Sequence, residues 1–287
     1  MSLVSLQELA GFVPDGARLA LSMDDAGVSM AATVALIARG VRNLHLICVP
    51  VSGLQTDLLI GAGCVRTVET SAVSLGEFGA APRFTDAVRR RAIRVVDATC
   101  PAIYAGLQAS QKGIPFMPLR GILETDLLAH RSDWAVIPNP FSPDDRLVAI
   151  SAIRPDVALF HAPMADRHGN VFLGRWRDGL LLGHASKDTL VTVEKLVDGN
   201  LLDDEARAGS VLPAMYVSHL AVAPQGAWPL PLQGSYGGDS AVLAAYASAA
   251  RTDEGFATQL TELMEAARLR WGVAALLRAA AAPNQPA

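Results

Sequence analysis

The sequence has little excess charge of either sign, few cysteines and no long apolar run. It carries 24 Lys and Arg against 28 Asp and Glu in 287 residues, a net charge of -4, with the basic residues spread along the chain. No concentrated basic face is encoded, so nucleic acid is not an expected partner. No apolar stretch reaches the roughly 18 residues that suggest a membrane span. The opening MSLVSLQELAGFVPDG also lacks a basic segment ahead of a long apolar one, so a secretory leader is not expected and the reading is a soluble, cytoplasmic protein. Cys48, Cys64 and Cys100 are widely spaced and form no CxxC pair. That set argues against a disulfide framework or a zinc site and reads as reduced core thiols. Also missing are GxGxxG, GxxxxGK[ST] and GxSxG, which removes the dinucleotide loop, the P-loop and the serine-hydrolase elbow.

Half the residues are hydrophobic (51%) and 18% are charged, the composition of a compact globular chain. Short apolar runs alternate with helical patterns. Arg18 to Ser22 reads as a buried strand, Met30 to Arg39 as a helix closed by Gly40, and Asn43 to Val49 as a second strand. Leu58 to Gly63 turns toward a third strand at 65–70. A polar helix at 85–91, a strand or helix start at 94–98 and a helix at 102–111 ahead of Gly113 follow. Strands are expected again at 157–160 and 189–194. Strands spaced by helices imply right-handed βαβ units, hence an α/β fold: an open, mostly parallel sheet with helices on both faces. The prolines of PNPFSPDD, 138–145, predict an irregular surface loop. The alanine- and leucine-rich stretch 256–282 predicts one or two helices packed on the body.

Three segments are candidates for chemistry. HAPMADRHGN, 161–170, offers His161, Asp166 and His168 as metal ligands, but no fourth ligand is evident. The plainer reading is a strand ending at His161 and a tight turn at 166–170, in which Gly169 or Asn170 takes positive φ and Asp166 accepts from turn amides. LSMDDAGVSMAA, 21–32, is a strand, a polar loop with the single Gly27, and a helix whose first amides would suit an anion or a thioester oxygen. In GIPFMPLRGILETDLL, 113–128, Arg120 either orients a carboxylate or pairs with Glu124 or Asp126. Glu69, Glu77 and Glu194 stand singly at strand ends or in loops and read as paired or solvated.

Taken together, VPDGARLALS with GVSMAA, GVRNLHLICV, DLLIGAGCVRTVETS, KGIPFMPLRGILETDLL, VAISAIRPDVALFHAPMADRHGNV, LVTVEKLV and PQGAWPLPLQGSYGGD resemble the α subunit of class I coenzyme A transferases, the glutaconate type in particular, over most of residues 13–247. The resemblance implies a Rossmann-like CoA-transferase fold, with 1–287 as a single α-subunit domain and C-terminal helices at about 240–282. It implies a glutamate nucleophile carried by a β subunit in a Ser-Glu-Asn-Gly-like turn. The corresponding turn here is Thr70-Ser71-Ala72-Val73, and Ser71 cannot form the acyl anhydride. The expected partner is therefore a β subunit in a hetero-oligomer. The expected substrates are an acyl-CoA and a carboxylic acid, with no permanently bound cofactor, no metal and no catalytic residue in this chain. By resemblance the loop from Ser22 through Gly27 to Ser29 is a wall of the acyl pocket, Ser71 a hydrogen-bond donor to substrate, and Arg120 the carboxylate or carbonyl anchor. The family's first loop is usually Gly-Gly-Phe or Gly-Gly-Trp, whereas this chain has Ser22-Met23-Asp24-Asp25. The alternatives are a hydrolase or ring-opening subunit of the same fold, or a non-catalytic binding protein for acyl-CoA or a small acid.

Overall fold

The computed structural model describes residues 2–273. The chain begins with β1 (Ser2–Leu3), α1 (Leu6–Gly11), β2 (Arg18–Leu21), α2 (Met30–Arg39), β3 (Leu44–Cys48), α3 (Leu54–Gly61), β4 (Val65–Thr70), α4 (Pro82–Arg89), β5 (Arg94–Asp97) and α5 (Cys100–Gln111). Next come β6 (Phe116–Leu119), α6 (Leu127–His130), β7 (Trp134–Asn139), β8 (Ser142–Ser151), β9 (Val157–Ala162), β10 (Met164–Asp166) and β11 (Val171–Phe172). Then follow α7 (Asp178–Ala185), β12 (Asp188–Val193), β13 (Leu196–Val197), α8 (Glu205–Ala208), β14 (Val211–Leu212), β15 (His219–Val222), α9 (Ser240–Ala249) and α10 (Asp253–Trp271).

Eight strands form one sheet in the order β1-β15-β12-β9-β2-β3-β4-β5, and every pair in it is parallel. Alternation within each strand divides the core in two. Leu19, Leu21, Leu46, Val68, Leu159 and Leu190 pack with α1 to α4, α9 and α10 on one face. Ala20, Ile47, Ala158, Phe160 and Val191 meet α5, α7 and the smaller sheets on the other. The expected parallel α/β sheet is thus the structure found, and α2 ends as read, with Gly40 at φ 76°. No helix among the described residues is long and apolar enough to cross a membrane.

Several expectations are corrected. The turn expected from Leu58 is the end of α3, a helix whose first seven residues are all buried. The stretch 138–145 is no irregular loop: it lies in the β7–β8 hairpin, where Pro138 pairs with Arg146. It is tolerated because β7 is an edge strand of the antiparallel sheet β6-β8-β7 and the ring's missing N–H faces away from the ladder. Cys48 and Cys64 are buried thiols, but Cys100 is exposed at the start of α5, so it is not part of the core. The C-terminal helices are α9 and α10; the rest of the expected 240–282 span lies outside the described residues.

Candidate active site

β2 to β5 are laid down in one direction and β9, β12 and β15 in the other, so β2 and β9 flank the point where the strand order reverses. In open parallel sheets a crevice opens there at the carboxyl ends of the strands and serves as the default binding site. Here it is lined by Asp25, Ala26, Phe160, His161, Trp176 and Gln233, among others, and its cavity is about 10 Å³, space for a single water. Gly27 closes its floor. The Gly27 carbonyl accepts from His161 N–H at 2.6 Å and from the Ser22 hydroxyl at 3.1 Å. With φ at +75° and a Cβ that would stand 2.1 Å from the His161 carbonyl oxygen, only glycine fits. Ser22 itself is fully buried. The loop borders the crevice through Asp25, Ala26 and Gly27, with Ser22 as an internal brace beneath them.

The amides expected to receive an anion are taken internally. At the start of α2, Ala31 N–H donates to Gly226 O at 3.0 Å. At the start of α3, Gly53 N–H and Leu54 N–H donate to the Asp24 carboxylate at 2.9 and 3.1 Å. A side chain at Gly53 would collide with Asp24 Oδ2 and the Ser74 carbonyl, each 2.3 Å from the added Cβ. Burial pushes the Asp24 carboxyl up to about 7; the two amides work against this, and the charges of Asp25 and Asp57 add to it. Folded chain therefore holds a proton that unfolded chain has lost between pH 3.8 and about 7, so this group makes stability fall as pH rises through that window. Asp24→Asn, which cannot titrate, should show a flatter stability profile than wild type between pH 5 and 8 in denaturant titrations. Parallel profiles would show that Asp24 ionises normally.

Ser71, just past β4, has its hydroxyl 3.2 Å from Cys100 Sγ, while Thr70 Oγ1 donates to Ala72 O at 2.8 Å and stiffens the turn. Arg120 lies elsewhere, after β6. Its side chain is 64% exposed and forms a two-pronged pair with Asp145 of β8, which also accepts from Asn139 Nδ2 at 2.7 Å. The expected local partners, Glu124 and Asp126, are not used, because the β6–β8 pairing brings Asp145 closer. Of the residues expected to bind substrate, Ser22 and Gly27 are in contact, Ser71 sits two strands away on β4, and Arg120 belongs to the smaller sheet.

The polar centre of the crevice was not anticipated. His161, buried, bonds through Nδ1 to Thr192 Oγ1 at 2.8 Å and through Nε2 to Glu194 Oε1 at 2.6 Å; Thr192 also meets Ser29 Oγ at 2.7 Å. Glu194 further accepts from Tyr236 OH at 2.9 Å and from the amides of Gln225 and Gly226 at 2.8 and 3.2 Å. Burial acts to raise the Glu194 carboxyl, but these donors outweigh it and hold it below its usual range. The same burial, with Glu194 beside it, pushes the Tyr236 phenol up. The network ties the 224–236 segment over the ends of β9 and β12. The signal was present in the parity of β12, where Thr192 and Glu194 share a face.

Asp166 does what the turn reading expects. It accepts from the amides of His168, Asn170 and Leu201 at 2.9 to 3.0 Å, and Gly169 takes φ 96°. No group of three His, Cys, Asp or Glu residues suited to a metal forms among the described residues.

No family model matches the chain. It is 33% identical over 269 residues to the α-type subunit of 3-oxoadipate CoA-transferase from Pseudomonas knackmussii, covering 91% of this chain and 92% of that one. Its fold superposes on glutaconate coenzyme A-transferase of Acidaminococcus fermentans with a TM-score of 0.84 at 24% identity, over 91% of this chain and 88% of the other. A variant of the decarboxylase AibA/AibB superposes with a TM-score of 0.79 at 30% identity, over 90% of this chain and 98% of the other. The all-parallel sheet, the loops gathered at its carboxyl edge and an end-to-end likeness at this level of identity agree: the chain belongs to the family of CoA-transferase α subunits.

Proposed function

We propose that this chain is the α subunit of a CoA-transferase that moves CoA from an acyl-CoA to a carboxylic acid, with the nucleophilic glutamate on a β subunit. The observation that carries the reading is the likeness to the α-type chain of a 3-oxoadipate CoA-transferase along nearly the whole sequence. The partner's glutamate attacks the thioester carbonyl, giving an acyl-glutamyl anhydride and CoA thiolate. The thiolate attacks the glutamyl carbonyl, leaving an enzyme-CoA thioester and the freed acid. The acceptor carboxylate then attacks that thioester to form a new anhydride, and returning CoA thiolate takes the acyl group and regenerates glutamate. The α chain supplies a rigid wall at Asp25 to Gly27, the Ser71 hydroxyl at the β4 edge as a donor, and Arg120 as an anchor once a substrate carboxylate replaces Asp145. CoA enters as substrate, and no resident cofactor is required.

The alternative is a subunit that acts on an acyl-CoA without transfer, by hydrolysis or ring opening, or that only binds one. It is favoured by Asp24, which already occupies the α3 amides and stands in a loop where the family usually has glycines. Trapping separates the readings. A transferase incubated with acyl-CoA should accumulate a thioester on the β subunit that hydroxylamine or borohydride destroys. Turnover of acyl-CoA without such a species would favour the hydrolytic reading, and binding without turnover the non-catalytic one.

A further inference from the structure

The amino edge of the main sheet carries a row of basic residues that the chain itself does not neutralise. The register aligns Arg18 with His45, His45 with Thr67, and Thr67 with Arg94, one residue from each of β2, β3, β4 and β5. Aligned residues on neighbouring strands project from the same face about 4.8 Å apart, and like charges so placed repel. Glu69, two residues further along β4 and therefore on that face, is the acid at hand. Its Oε2 stands 3.9 Å from Arg18 and 3.4 Å from His45, but its Oε1 is already held by Arg131 at 2.8 Å. Asp15 is engaged with Arg39 and with the amide of Arg42. Among the described residues, Arg66 and Arg94 make no side-chain hydrogen bond or ion pair, and His45 Nε2 is buried without a hydrogen-bond partner. These groups surround one opening: a cavity of about 390 Å³ lined by Gly16, Asn43, His45, Arg66, Thr67 and Arg94.

We propose that this cavity binds the phosphoryl group of a small phosphorylated molecule. Two guanidinium forks, an imidazole and the Thr67 hydroxyl offer more donors than one carboxylate can accept, and they match the several oxygens and double charge of a phosphoryl group. The cavity is too large for the bare anion, so the remainder of the ligand has room. Thr67 precedes Ser71 by four residues, which places the site about 13 Å along the strand from the reacting edge. The phosphoryl group has two sources, a separate phosphorylated ligand or CoA's own phosphates; the second rests on the function proposed above.

The test uses the full chain purified with its β partner, beside the double variant Arg66→Ala/Arg94→Ala. Both side chains are exposed, so the fold should survive their loss. Inorganic phosphate, titrated at constant ionic strength against chloride, should give a saturable rise in Tm in the wild type that the double variant lacks. If the source is CoA, the variant's KM for acyl-CoA should also rise about tenfold with kcat retained, a loss of about 1.4 kcal/mol in binding, while KM for the matching acyl-pantetheine, which lacks phosphates, stays the same. If the source is a separate ligand, only the Tm response is lost. Equal phosphate responses in wild type and variant, or none in either with KM unchanged, would overturn the proposal. The Tm measurement does not depend on transfer, so failure of the site and failure of the proposed activity are told apart.

Discussion

Purified without a β subunit, the chain is expected to show no CoA transfer above the uncatalysed background, and adding the partner should restore it. Removing the nucleophile of a covalent enzyme lowers kcat by on the order of 10⁶, and nothing in this chain's crevice can stand in for it. Asp24 has its carboxylate on two amides of α3, and Glu194 is bound by His161, Tyr236 and two amides. Drawing either carboxylate out to attack a thioester would strip several donors from a loop they hold in place. Ser71 has the thiol of Cys100 as its neighbour rather than a base, and a serine ester would not pass through the acyl anhydride that transfer requires. Chromatographic measurement of the product acyl-CoA, with the lone chain, the lone partner and the mixture, decides the matter. Transfer by the lone chain at an ordinary enzymatic rate would mean that the nucleophile lies within it.

The β2-α2-β3-β4 succession was legible because its elements are bounded by local signals: apolar runs for the strands, and Gly40 in the left-handed conformation at the end of α2. α3 was not legible, for two physical reasons. All but its last residue are buried, so it has no polar face to produce a helical period. Its N-terminal cap is also not local, since the amides of Gly53 and Leu54 are satisfied by Asp24, about thirty positions earlier. The β7–β8 hairpin was missed because prolines exclude a central strand but not an edge strand, and edge position is set by tertiary pairing. The two-residue strands β11, β13 and β14 are too short to show any periodicity.

The candidate site was less legible than the fold because its contacts run between strands distant in sequence. Gly27 stands out as the loop's single glycine, yet its role as the floor against His161 depends on β2 and β9 being neighbours. His161 and Thr192 meet because the β9–β12 register sets them side by side. A sequence holds no mark of that register beyond the parity of each strand. Within HAPMADRHGN the two histidines therefore part company: His161 belongs to the crevice, while Asp166 to Asn170 is a turn anchored on Leu201. Glu69 looked equally isolated in sequence, and its partner Arg131 lies 62 positions away.

That pair supports the second large effect. Arg131→Met is expected to destabilise the chain by about 3–5 kcal/mol, the range for removing one partner of a buried ion pair. Glu69 and Arg131 side chains are 4% and 3% exposed, joined at 2.8 Å. Arg131 also donates to the Asp97 carbonyl at 3.1 Å and to both oxygens of Asp133 at 2.8 Å, with its guanidinium 4.1 Å from the Trp134 ring centre. One side chain thus joins β4 and β5 of the main sheet to the start of β7, fixing the sheet that carries Arg120 against the edge that carries Ser71. Methionine keeps the bulk and leaves Glu69 buried with only His45 and the more distant Arg18 to answer its charge. Adding Glu69→Gln removes that charge, so the double variant should regain part of the loss and show a coupling of about 1–3 kcal/mol in a double-mutant cycle. Urea unfolding of the four proteins at pH 7 measures both quantities. An Arg131→Met chain within about 1 kcal/mol of wild type would show that water reaches Glu69 and that the two sheets are held by their apolar contacts alone.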